Sequence, residues 1–248
     1  MTIREYVSKQ HQQMKDKTPR ERWEYFLDYY KWPALAFILV IAILIQGTIS
    51  LINRKDTVFS AVIVNSVAEE EDHSAFLQKY YDFAEIDPKK EEAQFYTSIA
   101  VSGGKAETDV SAFQNILAIV ANKGADFISG NLEAFTVCAY NTSNMLCDLR
   151  NYVDAETLAK LEDRIFYIDD AVARQMRDAI SNPTAVPVLP DPRDPGAMQE
   201  PIPFGIDVSD CQVFTGTYYP AETEVYLGIV SNTTHPEKVL QFIDFILP

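Results

Sequence analysis

The chain has 248 residues, 47% of them hydrophobic, and a formal net charge of −15 at pH 7. This length provides for one sizeable domain and one additional segment. The acidity excludes nucleic acid as an expected partner, because phosphate groups require neutralisation by Lys and Arg.

The charge divides unevenly along the sequence. Residues up to Lys55 carry nine Lys/Arg and five Asp/Glu, a formal charge of +4, whereas the remainder carries 12 Lys/Arg and 31 Asp/Glu, a formal charge of −19. Anionic lipid headgroups would repel the acidic part. We therefore expect a basic N-terminal segment and an acidic domain that stands away from any membrane surface.

Residues 1–32 are predicted to form a cytoplasmic amphipathic segment. Thr18, Pro19 and Glu21 have the spacing of a helix start, with Thr18 as the cap. Aromatic and apolar residues would then share one helix face: Trp23, Phe26, Leu27 and Tyr30. This pattern predicts an interfacial helix; a docking helix for a membrane partner is the alternative.

Residues 33–52, PALAFILVIAILIQGTISLI, contain no charged residue. Twenty residues at ~1.5 Å each span about 30 Å, the thickness of a hydrocarbon core. We expect Pro33 in the first turn, where its missing N–H costs nothing. The polar residues of the run can hydrogen-bond within the helix: Gln46, Thr48 and Ser50. The run is therefore a predicted transmembrane helix.

The basic residues predict the orientation of this helix. Seven Lys/Arg precede the run, and only Arg54 and Lys55 soon follow it, which favours the N-terminus inside. A cleaved signal peptide is the rival interpretation, but the preceding region is long and no A-x-A-like site follows at once. We predict a signal-anchored, single-pass protein of the cell membrane, with an extracytoplasmic domain over residues 56–248.

Strand-like and helix-like segments alternate in this outer domain. The predicted strands are Val58–Val64, Gln94–Val101, Ala125–Ile128, Ile165–Ile168, Phe204–Val208 and Val225–Val230, and Leu146–Leu149 is predicted to be an extended piece. The predicted helices are Ser74–Ile86, Asp109–Lys123, a segment from Gly130 to about Tyr140, Ala155–Leu161 and Pro236–Leu247. Residues 182–203 contain seven prolines and are predicted to be a surface excursion. The alternation predicts an α/β domain with a mainly parallel sheet covered on both faces.

Two stretches resemble a known family. The run AFQNILAIVANKGADFISGNLEAF (Ala112–Phe135) is similar to a helix–strand–helix of type II extracellular solute-binding proteins, and YLGIVSNTTHPEKVLQFIDFIL (Tyr226–Leu247) is similar to their closing strand and helix. The resemblance implies a single three-layer lobe of that kind. The arrangement also resembles membrane-anchored proteins of Gram-positive bacteria that carry one such lobe.

The chain departs from that family in three ways. It is shorter than a two-lobed solute-binding protein, and the place for a second lobe, between Ile168 and Phe204, holds only a short helix and the Pro-rich loop. It also lacks a lipobox cysteine, so the apolar helix would replace a lipid anchor. A hinged clamp around a ligand is therefore not expected.

Polar and small residues follow several of the predicted strands. In an open parallel sheet, ligands meet the loops at the carboxyl ends of the strands. The candidate ligand contacts are Asn65, Ser102, Gly103, Gly104, Ser129, Asn131, Asp169 and Asp170. Glycines allow backbone N–H groups to approach an anion, and the two aspartates resemble a carboxylate pair for metal binding or acid–base chemistry. A plain turn at Gly103-Gly104 and a helix cap at Asp169-Asp170 are the alternatives.

We predict no metal, no cofactor and no catalytic set. The run Glu69–Asp72 and His73 offers ligands for a hard cation, but consecutive residues seldom converge on one ion, and an acidic helix start accounts for them. The three histidines show no Ser-His-Asp spacing. Of the three cysteines, Cys138 and Cys147 could form a disulfide across a short loop; three buried thiols are the alternative.

These observations favour a non-catalytic, membrane-anchored extracytoplasmic module. Its expected partners are the membrane and either a small-molecule ligand or an envelope protein. The alternative is a cell-envelope enzyme that uses Asp169, Asp170 and the Gly103-Gly104 loop. That alternative requires the strand-end loops to lie in one pocket.

Overall fold

The computed structural model describes residues 18–52, 55–101, 107–140, 145–181 and 187–247, with side chains described except at 22, 25–31, 49–52, 107–109 and 179–181. The chain divides into two compact units, Met1–Arg54 and Lys55–Pro248. Each unit is described separately below.

The first unit contains α1 (Pro19–Ile52), a helix of 34 residues. Its start has the predicted capping box, because the Glu21 carboxylate accepts hydrogen bonds of 2.8 Å from both the backbone N–H and the hydroxyl of Thr18. The prediction that Pro33 lies in a first turn is wrong. The helix already begins at Pro19, so Pro33 lies in its interior and removes one backbone hydrogen bond there.

The apolar side chains of α1 expose much of their surface. Trp32 is 70% exposed and Phe37 is 66% exposed. The Thr48 hydroxyl donates a 2.8 Å hydrogen bond to the Leu44 carbonyl, which satisfies this polar group within the helix as predicted. In the part of the chain that the structure describes, no helix is long and apolar enough to cross a membrane.

The second unit is built on one six-stranded sheet. Its strands are β1 (Asp56–Val64), β2 (Glu91–Ile99), β3 (Phe127–Asn131), β4 (Ile165–Asp169), β5 (Pro201–Asp207) and β6 (Val225–Ile229), in the order β2-β1-β3-β6-β5-β4. β1 pairs in parallel with β2 and β3, whereas the β3–β6, β6–β5 and β5–β4 pairs are antiparallel. The sheet is therefore mixed, and the prediction of a mainly parallel sheet is wrong.

Helices cover both faces of this sheet. They are α2 (Glu70–Ala84), α3 (Glu107–Ala121), α4 (Leu132–Ala139), α5 (Ala155–Lys160), α6 (Asp170–Ser181), α7 (Gln212–Tyr218) and α8 (Pro236–Ile246), with short 3₁₀ turns at Leu149–Asn151, Glu162–Arg164 and Pro195–Ala197. Residues of α2, α7 and α8 pack in one apolar cluster, and residues of α3, α4 and α6 pack in a second. The strands alternate between the two, because successive side chains point to opposite faces. The unit is an α/β domain of three layers.

The C-terminal helix α8 is anchored at the centre of the sheet. Phe242 is fully buried, and its ring stacks on Phe127 of β3 with centroids 4.8 Å apart. It also lies 5.3 Å from the ring of Phe59 in β1. Aromatic pairs of this kind add about 0.5–1.5 kcal/mol to the free energy of burial. Helix α8 is therefore part of the core.

On the other face, the ring of Phe135 lies against two glycines. A Cβ at Gly205 of β5 would lie 2.5 Å from Phe135 Cζ, and a Cβ at Gly228 of β6 would lie 2.9 Å from the same atom. These distances are shorter than van der Waals contact. The two strands thus need glycine so that α4 can pack closely on the sheet.

We predict that Gly205→Ala lowers the free energy of unfolding by about 1–3 kcal/mol, because the added methyl group overpacks the site. Gly216→Ala is the matched control: its Cβ would meet nothing nearer than 3.9 Å, and alanine is favoured over glycine in a helix by about 0.5–1 kcal/mol. Urea denaturation of the full chain measures both. Equal effects would contradict the proposed close packing of Phe135.

Candidate functional site

The sheet topology places several strand ends at one edge, which we call the carboxyl edge. β1, β2, β3 and β5 end there, and the reversed strands β4 and β6 begin there. It contains Asn65, Val101, Asn131, Asp207 and Glu224. The carboxyl end of β4, at Asp169, lies at the opposite edge because β4 runs antiparallel to β5.

Asn65 ties the ends of three strands together. Its backbone has a φ of 60°, a conformation that asparagine tolerates better than most residues. Its side-chain oxygen accepts a 2.8 Å hydrogen bond from the Val101 N–H, and its amide nitrogen donates to the Val101 carbonyl at 3.0 Å. The same nitrogen donates to Asn131 Oδ1, also at 3.0 Å. The structure thus brings Asn65 and Asn131 together, as expected for neighbouring parallel strands.

Asn131 also begins helix α4. Its side-chain oxygen accepts a 3.4 Å hydrogen bond from the Ala134 N–H, in the position of an N-cap. One oxygen therefore serves both the helix and Asn65. Both asparagines are half-buried, and their side-chain amides form hydrogen bonds within the protein.

Ser129, another predicted ligand contact, is fully buried. Its hydroxyl shares a 2.9 Å hydrogen bond with the Tyr219 hydroxyl. Both faces of β3 are covered, so this side chain has no surface to offer a ligand. The predicted contacts Ser102, Gly103 and Gly104 lie outside the described residues.

The two aspartates lie at the opposite edge from Asn65 and Asn131. Asp169 is buried, and its carboxylate accepts hydrogen bonds from the N–H groups of Gln199, Glu200 and Ala171 at 2.9–3.1 Å. Burial opposes the ionisation of Asp169, but these backbone donors outweigh it and lower its pKa. Asp169 therefore fixes the loop before β5, as the alternative of a structural cap predicts.

Asp170 is the first residue of α6 and is engaged by two arginines of the same helix. Its carboxylate lies 3.0 Å from Arg174 and 3.7 Å from Arg177. Asp169 and Asp170 lie at the other end of the strands from Asn65 and Asn131, because β4 runs antiparallel to β5. The enzyme alternative requires Asp170 to lie near the Gly103-Gly104 loop, which is outside the described residues, and it therefore stays a prediction.

An ion cluster at the carboxyl edge has no counterpart among the predicted site residues. Arg193, from the Pro-rich excursion, lies 2.7 Å from Asp207 and 3.8 Å from Glu224, and its guanidinium stands 5.8 Å from the ring centre of Tyr226. Burial, with Asp207 and Glu224 nearby, raises the pKa of Tyr226 to about 12, although Arg193 acts in the opposite direction. The cluster joins the excursion to β5 and β6.

An open depression of about 410 Å³ lies beside this cluster. We call it the strand-end depression; it is lined by Asn131, Leu132, Glu133, Thr223 and Glu224. Leu132 is 37% exposed there. The depression forms because β6 begins next to the end of β3, where the Leu132 N–H donates to the Glu224 carbonyl at 3.1 Å. The sequence alone does not indicate that Thr223 and Glu224 line this depression, because their position depends on the pairing of β3 with β6.

The acidic run at Glu69–Asp72 begins α2, as the simpler interpretation predicts. Carboxylates in a first helical turn interact favourably with the helix dipole. His73 Nδ1 shares a 2.9 Å hydrogen bond with the Tyr218 hydroxyl. Burial lowers the pKa of His73, although Glu70 acts in the opposite direction. Among the described side chains, no group of acidic residues, His and Cys could hold a metal ion.

The three cysteines are free, buried thiols in this structure, which is the second of the two alternatives. Burial raises the pKa of each of Cys138, Cys147 and Cys211 to about 12. Such thiols are largely protonated at neutral pH and therefore poor nucleophiles.

Comparison with known proteins gives little further information. No family model and no curated protein matches this chain. A solved structure with partial similarity is the ABC substrate-binding protein Lmo0181 from Listeria monocytogenes in complex with cycloalternan; the TM-score is 0.25 at 9% sequence identity, and the match covers 49% of this chain and 33% of that chain. The match spans about a third of that protein's length, and similarity at this level carries no argument about function.

We predict that Asn65→Ala lowers the free energy of unfolding by about 2–4 kcal/mol, because it combines the strain of a positive φ with the loss of the Val101 hydrogen bonds. Asn65→Gly should lose about 1–2 kcal/mol less, since glycine adopts this φ freely. Asn131→Asp keeps both acceptor roles and serves as the control. Chemical denaturation distinguishes the three, and equal losses for Ala and Gly would contradict the left-handed backbone.

We predict that His73 makes stability depend on pH. Its pKa is lower in the folded state than its ordinary value of 6.5, so the unfolded chain binds the proton more readily. The contribution of His73 to the free energy of unfolding is therefore fully present above about pH 6.5, and it is lost as the pH falls through the pKa of the folded state. His73→Gln should reduce the pH dependence of the free energy of unfolding between about pH 7 and about pH 5. An unchanged slope would contradict this role.

Proposed function

We propose that this protein is a non-catalytic binding or interaction module and that the strand-end depression is its binding surface. The observation that carries the proposal is the open space between the start of β6 and the start of α4, next to the Asn65–Asn131 hydrogen bond. Such concave sites with few, fixed polar groups are the usual positions of ligands in α/β proteins. The absence of catalysis stays a prediction.

The lining indicates the kind of partner that would fit. Leu132 supplies apolar surface, and Glu133 and Glu224 supply two carboxylates at the rim. The chain beyond Lys55 carries a formal charge of −19, so a cationic partner gains from the long-range field as well. We therefore propose a ligand or a segment of an envelope protein that combines an apolar group with positive charge.

We further propose that α1 anchors the protein in the cell membrane, with residues 56–248 outside. The support comes from the sequence: twenty uncharged residues from Pro33 to Ile52 and the excess of Lys and Arg before them. One exposed lobe held at the membrane would suit a partner that is itself in the envelope.

The binding proposal is tested with the full chain in detergent and a synthetic peptide of alternating lysine and leucine. We expect Glu133→Gln and Glu224→Gln each to weaken binding about two- to fivefold, the effect of one exposed charge pair. Glu237→Gln, at the start of α8 and the opposite edge of the sheet, should leave the affinity unchanged. No binding, or equal affinity for all three variants, would overturn the proposal.

The anchor proposal is tested by labelling with a membrane-impermeant maleimide in intact bacterial cells. The native thiols are buried, so an introduced cysteine is read against a low background. Ser98→Cys, at an exposed position of β2, should react in intact cells, whereas Ser8→Cys should react only after permeabilisation. Recovery of the chain in the soluble fraction, or labelling of Ser8→Cys in intact cells, would contradict the anchor.

A further inference from the structure

A second cavity, of about 170 Å³, lies at the opposite edge of the sheet from the strand-end depression. It opens between α6 and the ends of β4 and β5. Its apolar wall consists of Leu146, Ile168, Ile202 and Phe204, and its charged side includes Asp170 and Arg177. None of these residues belongs to the proposed binding surface at the carboxyl edge.

The size of this cavity limits what it could hold. An engineered apolar cavity of about 150 Å³ in another protein binds benzene. A volume of about 170 Å³ therefore accepts one small organic molecule with a short, branched or aromatic apolar part. Leu146 and Ile168 are buried, so the inner wall would take that part out of water, and burial of apolar surface would favour binding.

The two carboxylate oxygens of Asp170 have different arginine partners. The Asp170 carboxylate accepts a 3.0 Å hydrogen bond from Arg174, outside the cavity lining, through Oδ2. Its other oxygen, Oδ1, lies 3.7 Å from Arg177 Nη2, which exceeds hydrogen-bond length. The mouth thus presents one carboxylate oxygen and one guanidinium side by side, both still partly exposed to solvent.

The other carboxylate of the lining is already neutralised. Asp148 Oδ1 accepts a 2.9 Å hydrogen bond from Arg150 Nε, and Asp148 Oδ2 accepts one of 2.5 Å from Arg150 Nη2. A bidentate pair of this type holds its carboxylate in place. The cavity therefore offers an incoming molecule the Asp170–Arg177 pair, and not a surplus of negative charge.

We infer that this cavity binds an α-amino acid with an apolar side chain. The carboxylate of the ligand would pair with Arg177, its ammonium group with Asp170 Oδ1, and its side chain would contact Ile168, Ile202 and Phe204. A zwitterion fills both charged positions. A simple carboxylate would bring no donor to Asp170 Oδ1, which Arg174 leaves free by binding Oδ2, and it would be repelled by the acidic domain. A simple amine would bring no carboxylate to Arg177.

The inference is tested by isothermal titration of the full chain in detergent with L-leucine, isocaproate and isoamylamine. The last two molecules lack the ammonium group and the carboxylate of leucine, respectively. We expect leucine to bind at least about tenfold more tightly than either analogue, since each analogue can make only one of the two charged contacts that leucine makes. No binding of leucine, or equal binding of isocaproate, would overturn the assignment.

Two variants locate the binding to this cavity. Arg177→Gln removes the guanidinium and should weaken leucine binding about tenfold or more. Ala173→Leu fills the cavity, because Ala173 is buried in its lining, and should abolish binding while circular dichroism confirms folding. Lys160→Gln removes one exposed positive charge elsewhere and should have no effect. If Arg177→Gln binds leucine as the wild type does, the site is not this cavity.

Discussion

The antiparallel insertion of β6 between β3 and β5 is the constraint on which the rest of the second unit depends. All five residues of β6 are buried, and they pair with β3 along its whole length and with the end of β5. Without this strand, the parallel group β2-β1-β3 and the antiparallel pair β5-β4 share no described strand pairing. The β6 strand therefore joins segments that are far apart in the sequence.

The direction of β6 also decides which residues can act together. It brings Glu224 beside Asn131 and Leu132, and so creates an open, acidic depression next to the hydrogen-bonded asparagines. The reversal of β4 has the opposite effect on Asp169 and Asp170, which it moves to the far edge. There Asp169 accepts hydrogen bonds from the backbone of the loop before β5, and Asp170 lines a separate cavity together with Arg177. The sheet thus carries distinct concave surfaces at the opposite ends of its strands.

The sequence predicts those features that depend on local chemistry. The capping residues Thr18 and Glu21, the buried strand β1 and the proline-led helix α8 all follow from patterns within a few residues, and the structure has them. The meeting of Asn65 with Asn131 also follows, because neighbouring parallel strands end at the same edge. The direction of a strand in the sheet cannot be predicted in this way, because a short apolar segment has the same sequence pattern in a parallel and in an antiparallel strand. The positions of Glu224, Arg193 and Asp170 therefore depend on pairings between distant segments, which no local pattern encodes.

Native-state hydrogen exchange of the full chain, resolved to the amides of β6, tests the central role of this strand most directly. If β6 joins the two parts of the sheet, its amides and those of β1 and β3 exchange only through global unfolding, with the same free energy and the same dependence on denaturant. The β4–β5 pair should then lose protection no later than β6. Exchange of the β6 amides by a lower-energy opening that leaves β1 and β3 protected would contradict the account.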